Sequence, residues 1–226
     1  RLFDLSLTQL RELHEPFLDF AAELTPLLIQ QQIRTTVFNA TVGRWRPRLV
    51  QGMSEMNGTK PYPDADRTLR FTYGEVKGYI PHDAATYQAF SHLSGVIEKD
   101  TGGEPFDVPD KLKQLYRAHD FGPYATPDGS DVPVDFLSNN DIIGGNSGSP
   151  IMNGMGEQVG IIFDGNYEGL GNDFFYNEEK GRAISVDIRY VLFIADKLGG
   201  AGYLLKELSL VGVPKPRSAA AGKHNH

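Results

Sequence analysis

Apolar residues recur along the first part of the chain at the spacing of one helix face: Leu10, Leu13, Phe17, Ala21 and Leu24 lie three or four apart. Ser6, with Gln9 three residues on, has the pattern of a capping box, so the first ~25 residues are predicted to be helical. Pro16 falls inside this run and is expected to kink it, because its ring removes a ladder N–H and crowds the preceding turn. The apolar face of such a helix needs a cover, and an adjoining helical region outside this chain is the expected one. Between residues 30 and 50, Arg34, Arg44, Arg46 and Arg48 gather around Trp45. A polyanion patch is one reading; a surface segment whose arginines pair with carboxylates is the preferred one. Residues 53–66 are rich in Gly, Pro and Asp and read as loop.

The period then changes to two. Residues 68–73 alternate polar and apolar, Gly74 follows, and 75–79 continue the alternation, which predicts a half-buried antiparallel hairpin. Residues 87–98 and 109–119 read as short helices, the second opened by Asp107 or Pro109 and closed near Gly122, with a loop at 101–103 between them. Strands are predicted at 131–137, 151–153, 158–163 and 183–187, the middle pair joined by the turn Gly154-Met155-Gly156. An acidic Gly/Asn-rich stretch covers 164–182. Residues 189–198 are apolar enough for a buried helix ended by Gly199-Gly200, 203–208 make another short one, and 215–226 read as a disordered tail. His224 and His226 in that tail are read as a remnant, not a metal site.

Composition narrows the classes. The 226 residues, 40% apolar and 11% aromatic, can bury one large core or two small ones. With 29 acidic against 22 basic residues the net charge is −7, which argues against an extended nucleic-acid or anionic-membrane surface. The chain has no cysteine, so disulfides, thiolate metal sites and a cysteine nucleophile are excluded together. No run approaches the ~18 apolar residues of a membrane span. The chain opens at Arg1 inside an amphipathic pattern, without an initiator Met, and is read as a fragment or a processed product.

The chemistry concentrates in Gly144-Gly145-Asn146-Ser147-Gly148-Ser149-Pro150, set between a strand and an apolar hairpin. Glycines beside a serine allow a tight turn whose backbone N–H groups can face whatever the serine attacks. For acyl transfer two such donors must stand about 3 Å from an oxygen that turns negative in the transition state, and the Gly145 and Ser147 N–H groups are the natural pair. A glycine-rich turn with an exposed serine is the competing reading. The motif resembles the nucleophile loop of trypsin-like serine peptidases with a double β-barrel, which makes Ser147, not Ser149, the nucleophile. Asn146 stands where the animal enzymes have an aspartate, so activation through a buried ion pair with a new N-terminus is not expected.

The predicted strands number six, one barrel's worth, so half an enzyme is expected here. A serine needs a base and an orienting carboxylate. His14, His92 and His119 fall on predicted helices and are read as structural or solvent-facing. His82, between Pro81 and Asp83, is the least unsuitable candidate and is still not favoured. The chain order of the trypsin-like enzymes, His then Asp then Ser, puts both partners before Arg1.

Further motifs extend the resemblance: Tyr62-Pro63-Asp64-Ala65, Leu69-Arg70-Phe71-Thr72-Tyr73-Gly74, Asp141-Ile142-Ile143 leading into the serine loop, Phe163-Asp164-Gly165-Asn166, and Val186-Asp187-Ile188-Arg189-Tyr190-Val191-Leu192-Phe193. Together they resemble the C-terminal part of the bacterial dipeptidyl-peptidase 7/11 family, the S46 serine peptidases, closer to the dipeptidyl-peptidase 7 type. The resemblance implies a mainly β fold: the C-terminal six-stranded barrel of a trypsin-like double β-barrel, with helical segments at both ends. Residues 1–35 would end a helical domain, 36–213 form the barrel and 214–226 the tail. It also implies an exopeptidase that releases dipeptides from free N-termini through an acyl-enzyme, periplasmic, secreted or at the cell surface, a homodimer when full length, with neither metal nor organic cofactor. Its partners would be the peptide substrate and the missing N-terminal barrel. Carried over on the Phe-Asp-Gly-Asn segment, Asp164 would hold the substrate's α-ammonium. Gly165 would stand where members favouring acidic P1 residues have an arginine, which leaves an uncharged, roomier pocket suited to hydrophobic P1 side chains. A glutamyl-type trypsin-like endopeptidase and a non-catalytic barrel acting as a binding module remain the alternatives.

Overall fold

The computed structural model describes residues 2–58, 68–172 and 176–212. The chain divides into two units, Arg1–Asp66 and Arg67–His226. The first is helical. Ser6 and Gln9 form the expected capping box, the Gln9 N–H donating to Ser6 Oγ (3.3 Å) and the Ser6 N–H to Gln9 Oε1 (2.9 Å), and start α1 (Leu7–Glu12). Pro16 does not kink this helix but begins a second, α2 (Pro16–Asn57). The chain breaks at His14, whose φ is +47°, and the Glu15 carboxylate caps the new N-terminus by accepting from Phe17 N (2.9 Å) and Leu18 N (3.1 Å). A proline in the first turn forfeits no hydrogen bond, since that N–H has no partner inside a helix.

Helix α2 runs 42 residues to Gly58, which ends it in the left-handed region at φ +67°. It therefore includes the basic segment and the first five residues of the region expected as loop, and the domain boundary expected at residue 35 falls inside it. The guanidiniums of Arg44 and Arg48 lie 5.3 and 5.1 Å from the centre of the Trp45 ring, so these two arginines are held by an aromatic face and not by the carboxylates expected of them. No residue of α1 or α2 is buried. Among the described residues no helix is long and apolar enough to cross a membrane.

The second unit is built on a five-stranded antiparallel sheet in the order β1 (Phe90–His92), β2 (Pro133–Ser138), β5 (Ala183–Asp187), β4 (Gln158–Gly165) and β3 (Pro150–Met152). The last four match predicted strands. The chain as a whole is not mainly β, since α2 alone holds more residues than the five strands together.

The hairpin expected over 68–79 does not form. Its second half instead lies along β2, with Lys77 N donating to Leu137 O (3.1 Å), Asn139 N to Glu75 O (3.1 Å), and an isolated bridge from Val76 to Ser138. Gly74 and Gly78 serve close approach and not a hairpin turn: a Cβ on Gly74 would stand 2.6 Å from Asn139 Oδ1, and one on Gly78 would collide with the carbonyl of Tyr87. Likewise only the end of the predicted helix 87–98 is helical, as α3 (Leu93–Glu98). Residues 90–92 are drawn into the open edge of β2, where Ser91 Oγ donates to Asp135 Oδ2 (3.3 Å) and accepts from Asp135 N (3.1 Å).

The core gathers where α3, α4 (Asp110–Arg117) and α5 (Ile188–Phe193) meet β2, around Leu93, Leu112, Phe121, Tyr124, Val132, Val134, Leu192 and Phe193. Asp187, buried at the end of β5, caps α5 through Arg189 N (2.9 Å) and takes the Arg189 guanidinium on both oxygens at 2.9 and 2.7 Å. Helix α5 continues as a π-helical turn over Ile194–Leu198, and α6 (Gly202–Leu205) follows. The predicted tail and the Tyr62–Ala65 motif lie outside the described residues.

Buried Tyr124 donates its hydroxyl to Asp196 Oδ2 at 3.0 Å; burial first, then this carboxylate, push its phenol up from 10.0 to about 12. Below pH 10 the group is protonated whether folded or not; between pH 10 and 12 the unfolded chain loses the proton that the folded chain keeps, so stability falls as pH rises. Tyr124→Phe should lose denaturation midpoint less steeply than the wild type from pH 10 to 12, as read by urea titration of both proteins.

Candidate active site

The loop between β2 and β3 is two successive β-turns that share Asn146: Asn146 N donates to Ile143 O (3.1 Å) and Ser149 N to Asn146 O (2.9 Å). The third residue of each turn is a glycine, Gly145 at φ +106° and Gly148 at φ +85°, a region that L side chains rarely adopt. The Asn146 side chain pins the first turn by accepting from Ile143 N at 3.0 Å. The loop is then tied to β4 by Gly148 N to Ile162 O (2.8 Å) and Ile162 N to Ser149 O (3.1 Å). Ser147 is thereby held exposed, its Oγ donating weakly to Phe163 O at 3.4 Å. Among the described residues neither the Gly145 nor the Ser147 N–H is given to another group, so both expected donors are free.

Strand β4 delivers the other two residues singled out. Along β4 and β5, Ile162 pairs with Ser185 but Asp164 pairs with Ile184, so Phe163 is an extra residue, a β-bulge. Because strand side chains alternate, the inserted residue turns Asp164 to the face opposite buried Ile162. Asp164 is accordingly exposed, with Oδ1 accepting from Gly165 N at 2.8 Å.

Ser147, Asp164 and Gly165 come together in one open pocket of about 200 Å³, walled also by Ile142, Ile162, Asn166 and Arg182. Gly145 is exposed on the same turn but is not part of the wall. A Cβ on Gly165 would meet Ile142 Cδ1 at 3.6 Å and Arg182 O at 3.7 Å, ordinary contact distances, so the backbone tolerates a side chain there.

No histidine lines this pocket. His14 belongs to the other unit. His82 is exposed with Nδ1 3.0 Å from Asp83 O, His92 ends β1, and the His119 ring packs against Tyr116 and Phe121 with centroids 6.2 and 5.4 Å apart. What the described residues assemble is an exposed serine hydroxyl, free main-chain donors and a carboxylate, with no histidine beside them. Among them no group of three or more His, Cys, Asp or Glu is placed to hold a metal ion.

Sequence reasoning passed over two pocket residues. Asn166 and Arg182 are both buried and bound to each other, Asn166 N donating to Arg182 O (2.9 Å) and Arg182 N to Asn166 Oδ1 (2.7 Å). Asn166 closes the quoted Phe-Asp-Gly-Asn segment but was given no role there, and Arg182 carries no local signal.

The family model for Peptidase S46 matches residues 1–210. The chain is 52% identical over 164 residues to dipeptidyl-peptidase 7 of Phocaeicola vulgatus, covering 72% of this chain and 23% of that protein. It is 44% identical over 200 residues to the Asp/Glu-specific dipeptidyl-peptidase of Porphyromonas endodontalis, covering 88% and 28% respectively. The crystal structure of Porphyromonas endodontalis DPP11 in complex with the dipeptide Arg-Asp superposes with a TM-score of 0.77 at 42% identity, over 87% of this chain and 28% of that one. The chain thus spans about a quarter of the length of the curated relatives it matches. With the serine turn, the bulged strand and the family match all falling within the same 210 residues, the chain belongs to the peptidase S46 family.

Proposed function

We propose that this chain carries the nucleophile and the substrate-recognition strand of a dipeptidyl-peptidase that acts on peptides with a free N-terminus. The observation that carries the reading is the single pocket shared by Ser147, Asp164 and Gly165. In this reading Ser147 Oγ leaves Phe163 O and attacks the carbonyl of the second substrate residue, while a histidine outside this chain takes its proton. The Gly145 and Ser147 N–H groups receive the oxyanion. The same histidine protonates the departing amine, leaving a dipeptidyl ester on Ser147, and water then releases the dipeptide.

Asp164 bounds the pocket with a negative charge. A substrate ammonium closed in beside it has a partner, whereas a blocked N-terminus would leave the carboxylate desolvated and unpaired, and this selects free N-termini. At the P1 side the wall offers Ile142, Ile162 and the backbone at Gly165. The one cation in the wall, Arg182, has all five N–H donors committed to main-chain carbonyls. It therefore has no donor for a P1 carboxylate, which supports a hydrophobic P1 preference. Relatives named dipeptidyl-peptidase 7 and relatives named Asp/Glu-specific dipeptidyl-peptidase both match this chain, so overall identity does not choose a P1 preference; the glycine at position 165 supports the hydrophobic one. The wider proposal includes a trypsin-like barrel, its sixth strand supplied by residues 75–79 beside β2, within a periplasmic or surface-exposed homodimer.

Three outcomes test this. The isolated 226-residue chain should show no steady turnover, since loss of a triad member removes on the order of 10⁴–10⁶ in kcat; turnover by the chain alone would return the base to His82. In the full-length enzyme, Asp164→Ala should raise KM and lower kcat on free dipeptidyl substrates, a loss of about 2–5 kcal/mol in transition-state binding. Unchanged kinetics would remove Asp164 from ammonium binding. On a substrate panel differing only at P1, the wild type should prefer Leu or Met. Gly165→Arg should lower kcat/KM for these and raise it for Asp or Glu, because a planar cation attracts the carboxylate and fills the apolar volume at once. A wild type that prefers P1 Asp or Glu would overturn the specificity assignment.

A further inference from the structure

Arg182 is a buried cation without an acid among the described residues. It is 4% exposed, and its five N–H groups go to carbonyl oxygens of four residues. Nε and Nη2 donate to Gly78 O (3.3 and 3.0 Å), Nη2 also to Glu179 O (3.0 Å), and Nη1 to Glu178 O (2.9 Å) and Gly181 O (2.6 Å). The guanidinium lies over the Tyr79 ring, 5.6 Å from its centre. The Tyr79 hydroxyl donates to Glu168 Oε2 (2.7 Å), which also accepts from Asn166 Nδ2 (3.0 Å), and Asn166 is bound on its main chain and side chain to Arg182. Arg182, Tyr79, Glu168 and Asn166 thus close a ring, in which the link between Asn166 and Arg182 runs through the Arg182 main chain. Asn166 follows Asp164-Gly165 directly, and the Arg182 carbonyl is the atom that stands behind Gly165.

A buried charge costs several kcal/mol unless dipoles or an opposite charge replace its water, and an equal gain comes from a hydrophobic filling without that cost. A fold that needed only to fill this space would do so with an apolar residue. What the guanidinium supplies instead is geometry: a rigid fork that holds two separate segments, residues 78–79 and 178–181, at a fixed separation, while the Arg182 main chain holds Asn166. Lysine, with three donors on a single atom, cannot bridge the same carbonyls.

We propose that Arg182 is the positioning residue for substrate recognition: through the ring with Tyr79, Glu168 and Asn166 it fixes the Asp164-Gly165 strand end in register with Ser147, without touching substrate. This rests on the proposed dipeptidyl-peptidase activity. The serine turn itself is held by Asn146 and β4, not by the ring, so the two parts of the pocket are supported separately. Loosening the ring therefore weakens binding of the substrate's N-terminal residues and leaves the reactivity of the serine alone.

The test uses the full-length enzyme with Arg182→Lys and, as the milder break, Tyr79→Phe, which removes only the bond to Glu168. Two quantities are read: kcat and KM on a dipeptidyl substrate with a free N-terminus, and the rate at which Ser147 is labelled by a small alkyl fluorophosphonate, which has neither an ammonium nor a P1 side chain. Arg182→Lys should raise KM by about ten- to a hundredfold, as misplacement by about 1 Å does, while labelling stays within about threefold of wild type. Tyr79→Phe should move KM in the same direction by less, again with labelling unchanged. Should Arg182→Lys fail to fold, Tyr79→Phe decides on the same two readouts. An unchanged KM, or labelling that falls in step with kcat/KM, would overturn the assignment, the first because the ring does not position the strand end and the second because its role is general to the fold. A wild type with no activity on free N-termini would instead defeat the proposed function.

Discussion

One inserted residue in β4 sets the architecture of the pocket. Were β4 and β5 paired without interruption, Asp164 would lie on the same face as Ile162 and point into buried surface, where an unpaired carboxylate is costly. The bulge at Phe163 reverses the alternation for the last residues of the strand and brings a charge to the open side while the apolar side chains before it stay packed. It also brings the Phe163 carbonyl to Ser147 Oγ. Ser147 and Asp164 thus meet at either side of a single residue, although they come from different elements.

The two ends of the sheet do different work. At one end β5 runs into α5 through the buried Asp187, which satisfies both a helix N–H and the Arg189 guanidinium, and the aromatic and aliphatic core around Phe121 and Phe193 packs against it. That end is dry and mostly apolar. At the other, the segment from Asn166 to Arg182 is organised by polar side chains bonding to main chain, Asn166 to Lys180 O (2.7 Å) and Asn177 to Glu179 N (3.0 Å) among them. Buried polar groups of this kind specify one geometry because each unmet donor or acceptor carries a penalty. The pocket sits at the polar end, with the apolar end behind it as the rigid mount.

Much of this was legible in residue order. The serine turn, four of the five strands, the capping box at Ser6 and the helix over 110–117 all follow from local patterns whose physical cause lies within a few residues. What the local pattern left open was decided by which partner won the backbone groups. The alternation over 68–79 fits a hairpin, but the open edge of β2 competes for the same backbone groups, and Gly74 and Gly78 permit its approach. The proline at position 16 has two meanings, kink or first turn, and the Glu15 carboxylate decides for the second. Of the pocket, Ser147, Asp164 and Gly165 were singled out because each sits in a short motif. Arg182 was not, because an arginine beside a strand carries no local mark of the four carbonyls that take its guanidinium, one of them, Gly78 O, from a segment far away in sequence.

The amide at position 146 has a consequence for the environments in which the serine turn keeps its shape. A carboxylate accepting from Ile143 N–H would lose much of that bond on protonation, and the turn would soften as the medium acidified. Asn146 makes the same bond with a group that neither gains nor loses a proton over the range in which proteins stay folded. The main-chain bonds that complete the turn have no ionisable member either. The scaffold of Ser147 is therefore indifferent to acidity, and any pH response of the pocket must enter through the groups around it.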